Sequence, residues 1–416
     1  MSSGIIYRRP DCRGCRGRDL DMVFSMRPSP IGDAYVTLDR VGESQPSYPI
    51  DLYMCRACGL AQLLDVIDPE VLYGDYIYVT ESSPGLKEHF RSYAEAVGSR
   101  CRLNHGDLVI DLGSNDGTLL QAFKALGRRV LGIEPAAHIA AQATARGVTT
   151  LARFFNAEFA KEIATDHGRA KLITANNVFA NIDDLGSWVD GINEVLSEDG
   201  VFVFESFYLA DWVNNLVFDF LYHEHLTAFS VKPVQALFHR VGMELTAVER
   251  VSTKGGSLRY FIQRLGGPLR KDGSVEKMLA QEESAGLYQK EIFLRFTEEI
   301  NTLKNDTRRF LEKAKSEGKS IAGFGASITC TTLIHHFELA EYIDYLVDDN
   351  PAKQGRFSPG HHLPVLSPSV LDQRKPDYVI VLAWRYVIPI EERYKNYLES
   401  GGCYVVPVPK FRCISA

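Results

Sequence analysis

Leu108-Val-Ile-Asp-Leu-Gly-Ser-Asn-Asp-Gly117 carries the strongest fold signal in the chain. An apolar run ends in an acid, Asp111, passes through Gly113 and Gly117, and enters Thr118-Leu-Leu-Gln-Ala-Phe123, which has helical character. A strand that turns through glycine into a helix N-terminus lets the backbone come close to a ligand. The next apolar run, Val130-Leu-Gly-Ile-Glu134, ends in a second acid 23 residues after Asp111. Such an acid is placed to accept hydrogen bonds from a ribose diol. The Gly-x-x-x-Gly spacing lacks the Gly-x-Gly-x-x-Gly fingerprint of pyrophosphate binding. Asp111 would also repel a diphosphate, whereas a cationic sulfonium tolerates it. Asp111, Gly113, Asn115, Gly117 and Glu134 therefore point to S-adenosylmethionine, with NAD as the rival.

On both sides of this turn, apolar β-rich runs alternate with helical patterns from about 85 to 245, as in a parallel sheet covered by helices. Leu172-Ile-Thr-Ala175 and Gly200-Val-Phe-Val-Phe-Glu205 continue the strand series, and Ser257-Leu-Arg-Tyr-Phe-Ile-Gln263 closes it. Phe154-Phe155-Asn156 follows the third strand region, where Phe155 could stack on adenine or pack in the core. Asn176-Asn177-Val-Phe-Ala-Asn181 follows the fourth strand, over the expected methyl donor, and adds Asn177 to the donor set. A charged helical stretch, about 275 to 317, leads to a second α/β block. Its strands are expected at Ile321-Ala-Gly-Phe-Gly325, Tyr345-Leu-Val-Asp348, Tyr378-Val-Ile-Val-Leu-Ala383 and Cys403-Tyr-Val-Val-Pro407.

Before these blocks, Cys12-x-x-Cys15 and Cys55-x-x-Cys58 lie 39 residues apart. Each pair can place two thiolates on one face of a tight turn, and the two turns complete a closed tetrahedral zinc site. With all four positions filled by protein, the zinc is expected to be structural. A redox pair is the alternative, but neither motif opens a thioredoxin-like helix. Cys101, Cys330, Cys403 and Cys413 read as small buried residues. The fold class is thus α/β: a zinc-binding domain over 1–75, a Rossmann-like methyltransferase domain over 76–250, and a second Rossmann-like domain over 251–416.

Composition agrees with this organisation. The 416 residues are 45% apolar and 24% charged, and the net charge of −7 comes from interspersed acids and bases. That mixture argues against a nucleic-acid or membrane surface. The first ten residues hold no apolar core of signal-peptide length, and no stretch approaches a membrane span. A cytoplasmic location is expected, which favours metal over disulfides for paired cysteines. The chain is expected to work as a monomer or weak homo-oligomer.

The run Phe218-Asp-Phe-Leu-Tyr-His-Glu-His-Leu-Thr-Ala-Phe-Ser230 resembles the sugar C-methyltransferases that act on deoxyamino-keto sugars attached to dTDP. The resemblance covers nearly the whole chain. It takes in the four-cysteine head, Tyr76-Ile-Tyr78 with Ser82-Ser83, the Asp111–Gly117 turn, Gly255-Gly-Ser-Leu-Arg259 and Gly323-Phe-Gly-Ala326. It ends with Asp349-Asn-Pro-Ala-Lys-Gln-Gly355 and Pro376-Asp-Tyr-Val-Ile-Val-Leu-Ala-Trp384. The resemblance implies S-adenosylmethionine and zinc as cofactors and a nucleotide-sugar substrate, in deoxysugar or antibiotic biosynthesis. It implies His225 as base, Tyr76 and Tyr222 lining the sugar site, and Glu224 orienting the base or the sugar. It also implies substrate contacts from Tyr78, Arg259, Lys353, Trp384 and Arg385, although Tyr78 taken alone reads as a core residue, and Asn181 can hydrogen-bond a keto oxygen. The chemistry is coherent, because a hydrogen α to a ketone can be removed by a positioned side chain if the enolate oxygen is stabilised. His223 reads instead as a hydrogen-bonded packing residue.

Two positions depart from the pattern. Asn181 stands where sugar-acting members commonly carry a histidine, and a carboxamide cannot transfer a proton at neutral pH. Ser327-Ile-Thr-Cys-Thr331 replaces a stretch that often includes a lysine. Three rivals remain: a C-methyltransferase of the same build acting on another ketone or enolisable acid, an NAD-linked enzyme using Gly323-Phe-Gly325 and Asp348-Asp349, and a non-catalytic scaffold.

Overall fold

The computed structural model describes residues 5–73, 86–251 and 255–416. Two compact units make up the chain, and both are discontinuous in sequence. The first comprises Met1–Asp21, Met54–Ala210 and Leu226–Tyr288; the second comprises Met22–Tyr53, Asp211–His225 and Gln289–Ala416.

The first unit is built on seven strands: β1 (Leu108–Leu112), β2 (Arg129–Ile133), β3 (Thr150–Leu151), β4 (Ala170–Asn176), β5 (Leu196–Phe207), β6 (Met243–Val251) and β7 (Ser257–Arg264). Their spatial order is β6-β7-β5-β4-β1-β2-β3. The first five are parallel, and β7 runs antiparallel to both β5 and β6. The reversed β7 distinguishes this sheet from the dinucleotide-binding order 3-2-1-4-5-6.

Alternation along the strands sorts the core onto two faces. Val201 and Val203 join Tyr93, Val97, Leu120 and Phe123 from the helices Leu86–Arg100 and Thr118–Ala125. Phe202 and Phe204 meet an aromatic cluster instead: Phe204 stacks on Tyr260 with ring centroids 4.3 Å apart, and Phe179 stacks on Phe229 at 5.2 Å. The strand order reverses between β1 and β4, which opens the ligand crevice of a doubly wound sheet at their carboxyl ends.

The cysteine head of this unit is held by two short antiparallel pairs, Ile6–Arg8 with Asp65–Ile67 and Ala61–Leu63 with Thr227–Ala228. The segment Met22–Tyr53 between the cysteine pairs clusters with the second unit. There the neighbouring strands Leu20–Ser29 and Tyr48–Cys55 supply Phe24, which packs edge-on against Phe296 at 5.0 Å.

The second unit is a six-stranded sheet: β8 (Ile321–Phe324), β9 (Tyr345–Val347), β10 (Val365–Leu366), β11 (Tyr378–Val381), β12 (Cys403–Val406) and β13 (Arg412–Ser415). Its order is β10-β9-β8-β11-β12-β13, all parallel except β13. The switch point falls between β8 and β11. Every strand expected from sequence in the two blocks is present.

The charged helical stretch is two helices, Ser274–Ser284 and Lys290–Ser316, rather than one. Gly286 breaks it at φ +65°, and the Leu287 amide returns to the Glu282 carbonyl at 3.0 Å. The second helix buries Ile292, Phe296, Ile300, Leu303, Thr307, Leu311 and Ala314, a stripe at helical spacing. Among the described residues no helix is long and apolar enough to cross a membrane.

Candidate functional site

The four head cysteines converge as their spacing predicts. Their sulfurs all lie within 4.8 Å of one another, with Cys12 and Cys58 at 3.6 Å and Cys15 and Cys55 at 3.6 Å. A tetrahedral ion with Zn–S bonds of about 2.3 Å separates its sulfurs by about 3.8 Å, so the donor set fits zinc held by four thiolates. Cys12, Cys55 and Cys58 are buried and Cys15 is half-buried.

At the carboxyl end of β1 the chain turns through Gly113 and Gly117, with φ +71° and +76°. A Cβ on Gly113 would sit 2.8 Å from the Val178 side chain, so this turn admits only glycine. Asn115 also has positive φ, and its amide donates to Glu134 Oε2 at 3.0 Å. The Ala136 amide donates to Oε1 at 2.9 Å, which fixes the buried carboxylate at the end of β2. Two of its roughly four lone-pair sites are used, leaving the acceptor capacity that a ribose diol needs. Burial raises the Glu134 pKa, and the two amides oppose that shift.

Asp111 is buried beside this cradle and accepts the Thr174 hydroxyl at 2.6 Å. Burial pushes its pKa up to about 7; the Thr174 hydroxyl opposes the rise and Glu134 adds to it. A cation next to Asp111 would draw the carboxyl to its charged form, whereas a phosphate would not. Phe155 is buried edge-on against Trp188 at 5.3 Å, while Phe154 is exposed. Asn177 leaves β4 at φ +57°, with its amide on the Glu205 carbonyl at 2.8 Å. Asn181 ends the short turn Phe179–Asn181 beyond it.

The second unit carries the Tyr-His-Glu-His run. His225 is buried with Nδ1 2.8 Å from the Phe220 carbonyl and Nε2 2.9 Å from the Tyr222 hydroxyl. A carbonyl oxygen only accepts, so Nδ1 carries the proton and the Nε2 lone pair faces Tyr222, whose hydroxyl donates to it. His223 is buried against Tyr48, its Nε2 3.4 Å from the Tyr48 carbonyl, and burial lowers its pKa to about 4. Glu224 is buried as well. Tyr76 and Tyr78 lie outside the described residues.

The remaining expected substrate residues are engaged within the protein. Arg259 lies on β7 of the first sheet, not in the second unit, and pairs with Glu205 at 3.0 Å and Glu249 at 3.4 Å. Lys353 pairs with Asp33 and lies over the Tyr35 ring. At the switch point of the second sheet, Trp384 Nε1 donates to Asp219 at 3.0 Å and Arg385 Nη1 to both Asp219 oxygens at 2.9 Å. Arg385 also reaches the Thr329 hydroxyl at 3.2 Å and covers the Phe220 ring at 4.4 Å. Asp219 was not among the expected site residues. Its signal is an acid inside the apolar run Phe218-Asp-Phe-Leu221, and it is fully buried. Its anchoring holds the turn Phe218–Phe220 whose last carbonyl orients His225.

The second sheet repeats the arrangement of a glycine turn and an amide-pinned acid. Asp348, after β9, accepts the Ala326 amide at 2.6 Å and the Asn350 amide at 2.8 Å, and burial raises its pKa. Gly325 turns at φ +120° into the helix Ile328–Phe337, which Ser327 caps.

A doubly wound sheet with a reversed β7, an acid-bearing glycine turn and a Glu134 cradle defines the class: an S-adenosylmethionine-dependent methyltransferase. Three family models match in succession: the zinc binding domain over residues 12–73, the methyltransferase domain over 86–248 and the C-methyltransferase C-terminal domain over 252–409. NovU, a C-methyltransferase of Streptomyces niveus, is 33% identical over 413 residues, 99% of this chain and 98% of the relative. The chain belongs to this family of zinc-headed, S-adenosylmethionine-dependent C-methyltransferases. Among solved structures, the PH0226 protein of Pyrococcus horikoshii shares 13% identity at a TM-score of 0.38, over 46% of this chain and 97% of its own. A methyltransferase of Clostridium acetobutylicum shares 13% at 0.35, over 48% and 96%. At these scores they add nothing to the family assignment.

Proposed function

We propose that the enzyme methylates the carbon α to the ketone of a nucleotide-linked 4-keto deoxysugar, with dTDP as the nucleotide. The observation that carries this reading is the Tyr222–His225 pair, a buried imidazole with its tautomer fixed and its basic nitrogen turned to a hydroxyl. Donor binding alone needs no such pair, whereas forming a carbon nucleophile needs a base. S-adenosylmethionine, when bound, supplies an electrophilic methyl group on a sulfonium. Glu134 holds its ribose, and Asp111 favours its positive charge.

His225 is the final acceptor of the α proton, taken directly or through the Tyr222 hydroxyl, which passes its own proton to Nε2 as it receives one from carbon. The electron pair of the broken C–H bond moves toward the ketone oxygen and returns to form the new C–C bond, while the methyl–sulfur bond breaks and its pair stays on the departing neutral thioether. Asn181 serves as a hydrogen-bond donor to a keto oxygen and not as a base. Residues of the 251–416 region are inferred to hold the nucleotide, with Asp348 on the sugar hydroxyl and the turn Gly325–Ser327 on the phosphates. Two backbone amides on Asp348 repeat the Glu134 arrangement, which supports a nucleoside there.

The test is an activity screen of the purified protein with dTDP-linked 4-keto sugars and isotopically labelled donor. Stoichiometric label in a C-methylated sugar is expected. Turnover of non-sugar ketones alone would move the enzyme to the other substrate class, and reduction of NAD would overturn the reading.

A further inference from the structure

Arg13 lies inside the first Cys-x-x-Cys turn, between Cys12 and Gly14, and its side chain is completely buried. Burying a guanidinium is costly unless acceptors surround it. Here the acceptors come mainly from outside the turn. Nε donates to Asp183 Oδ1 at 3.1 Å, and Nη1 to the Leu226 carbonyl at 3.1 Å, to Gln62 Oε1 at 3.3 Å and to the Leu63 carbonyl. Arg9, also buried, reaches the other oxygen of Asp183 at 3.0 Å and its backbone carbonyl at 3.2 Å. The Tyr7 hydroxyl donates to the same carboxylate.

Asp183 lies two residues beyond Asn181, and Asp184 caps the helix Leu185–Val195 through the Ser187 amide. One end of the loop is tied to the sheet by the Asn177 amide, and the other is tied to the cysteine turn by Arg13 and to the segment before that turn by Arg9. Leu226, the second anchor of Arg13, follows His225 in the chain. A head serving only to close a metal would not need an arginine here; any apolar residue would fill the space at lower desolvation cost.

We propose that Arg13 and Arg9 are positioning residues: the thiolate-closed turn carries Arg13, Asp11 just before that turn holds Arg9, and the two arginines fix the loop 177–184 through Asp183. This rests on the reading of Asn177 and Asn181 as donor- and substrate-facing. The cysteine head thereby has a second task, setting the geometry of the methyl-transfer crevice.

The test is amide hydrogen exchange by mass spectrometry on the full-length, zinc-loaded protein, with zinc content measured on each sample. Asp183→Asn keeps the side-chain size and touches no cysteine. We expect it to retain one zinc per chain while exchange across residues 177–187 quickens on the order of tenfold, a local opening. The strand Leu108–Leu112 should stay protected, and turnover should fall by a similar factor. Arg13→Lys should act in the same direction; if it fails to fold, Asp183→Asn carries the test alone. Arg16→Ala, which removes a half-exposed side chain and its pairs with Asp184 and, at 3.7 Å, Asp11, should change neither measure. Unchanged exchange at 177–187 in Asp183→Asn, or exchange quickened equally throughout the sheet, would overturn the proposal. Faster loop exchange in a protein whose wild type methylates no sugar nucleotide would leave the positioning role standing and remove only the substrate reading.

Discussion

The two sheets answer the same construction problem with one difference in the residue that lines the strand end. In each, the first strand turns through glycine into a helix, and the acid after the next strand is pinned by two backbone amides. Glu134 is held by Asn115 and Ala136, and Asp348 by Ala326 and Asn350. The contrast lies two residues before the turning glycine. Asp111 precedes Gly113 in the first sheet, and Gly323 precedes Gly325 in the second. A buried acid favours a sulfonium and repels phosphate. A glycine-lined strand end leading to a capped helix N-terminus accepts phosphate. On the function proposed above, the two cradles divide a cationic donor from an anionic substrate.

The largest expected effect belongs to neither cradle, and so it tests whether chemistry is separable from both. Replacing His225 by Asn should abolish solvent deuterium exchange next to the ketone, measured with the demethylated donor product present, and methylation with it. The expected loss is about 10²–10⁴-fold, as for a missing general base. Adding Asn181→His should not restore either. Donor and nucleotide affinities should stay at wild-type values; a collapse of both would mean that His225 holds ligands, and exchange at the normal rate would assign the base elsewhere.

Glu134→Ala sharpens the division. Losing hydrogen bonds to a charged acceptor typically costs about 1.5–3 kcal/mol, so calorimetry should show donor binding weaker by roughly one to two orders of magnitude. Nucleotide binding should not move. Equal weakening of both would show that the cradles are not independent.

The pH dependence of donor binding reads Asp111 directly. Its pKa is lifted to about 7, chiefly by burial. A bound sulfonium favours the carboxylate, so binding releases a proton, and donor affinity should fall as pH drops through about 7. S-adenosylhomocysteine has a neutral sulfur and should show a weaker dependence. The ratio of the two dissociation constants should shift by at most about tenfold per pH unit. Asp111→Asn should flatten it; a ratio independent of pH in the wild type would remove Asp111 from the sulfonium's surroundings.

What the sequence disclosed follows from how local each feature is. Leu108–Asp111 and Ile321–Phe324 announce themselves by apolar runs that lead into a glycine turn. The cysteine pairs do so by spacing alone. The two-residue strands Thr150–Leu151 and Val365–Leu366 carry no pattern of their own and exist because a neighbouring strand pairs with them. Met243–Val251 shows partial alternation, yet its role as partner of β7 is a long-range fact. The engagement of Asp219 by Trp384 and Arg385 spans some 165 residues of chain, and no local signal ties an acid to a cation at that distance. The same holds for Lys353 with Asp33 and for Arg13 with Asp183. Cationic residues that resemblance marks as substrate contacts are matched by carboxylates that only the folded chain brings to them.

The smallest effect concerns the second cradle, where the division of ligands is most exposed to refutation. A 2-deoxyribose offers Asp348 one hydroxyl, whereas the donor ribose offers Glu134 two. In Asp348→Asn the carboxamide keeps one acceptor oxygen but turns an NH₂ toward either the Ala326 or the Asn350 amide, so one backbone contact is lost. A net loss near 1 kcal/mol, typical of one hydrogen bond, corresponds to dTDP binding weaker by about three- to tenfold. Donor affinity should be unchanged, because Glu134 and its turn are untouched. Titrating dTDP and UDP against wild type and variant makes the measurement specific, since the ribose of UDP can also use the second oxygen of Asp348. UDP should therefore lose more than dTDP. Equal and negligible losses would place the nucleotide away from Asp348, and the likeness of the two cradles would then reflect shared architecture without shared use.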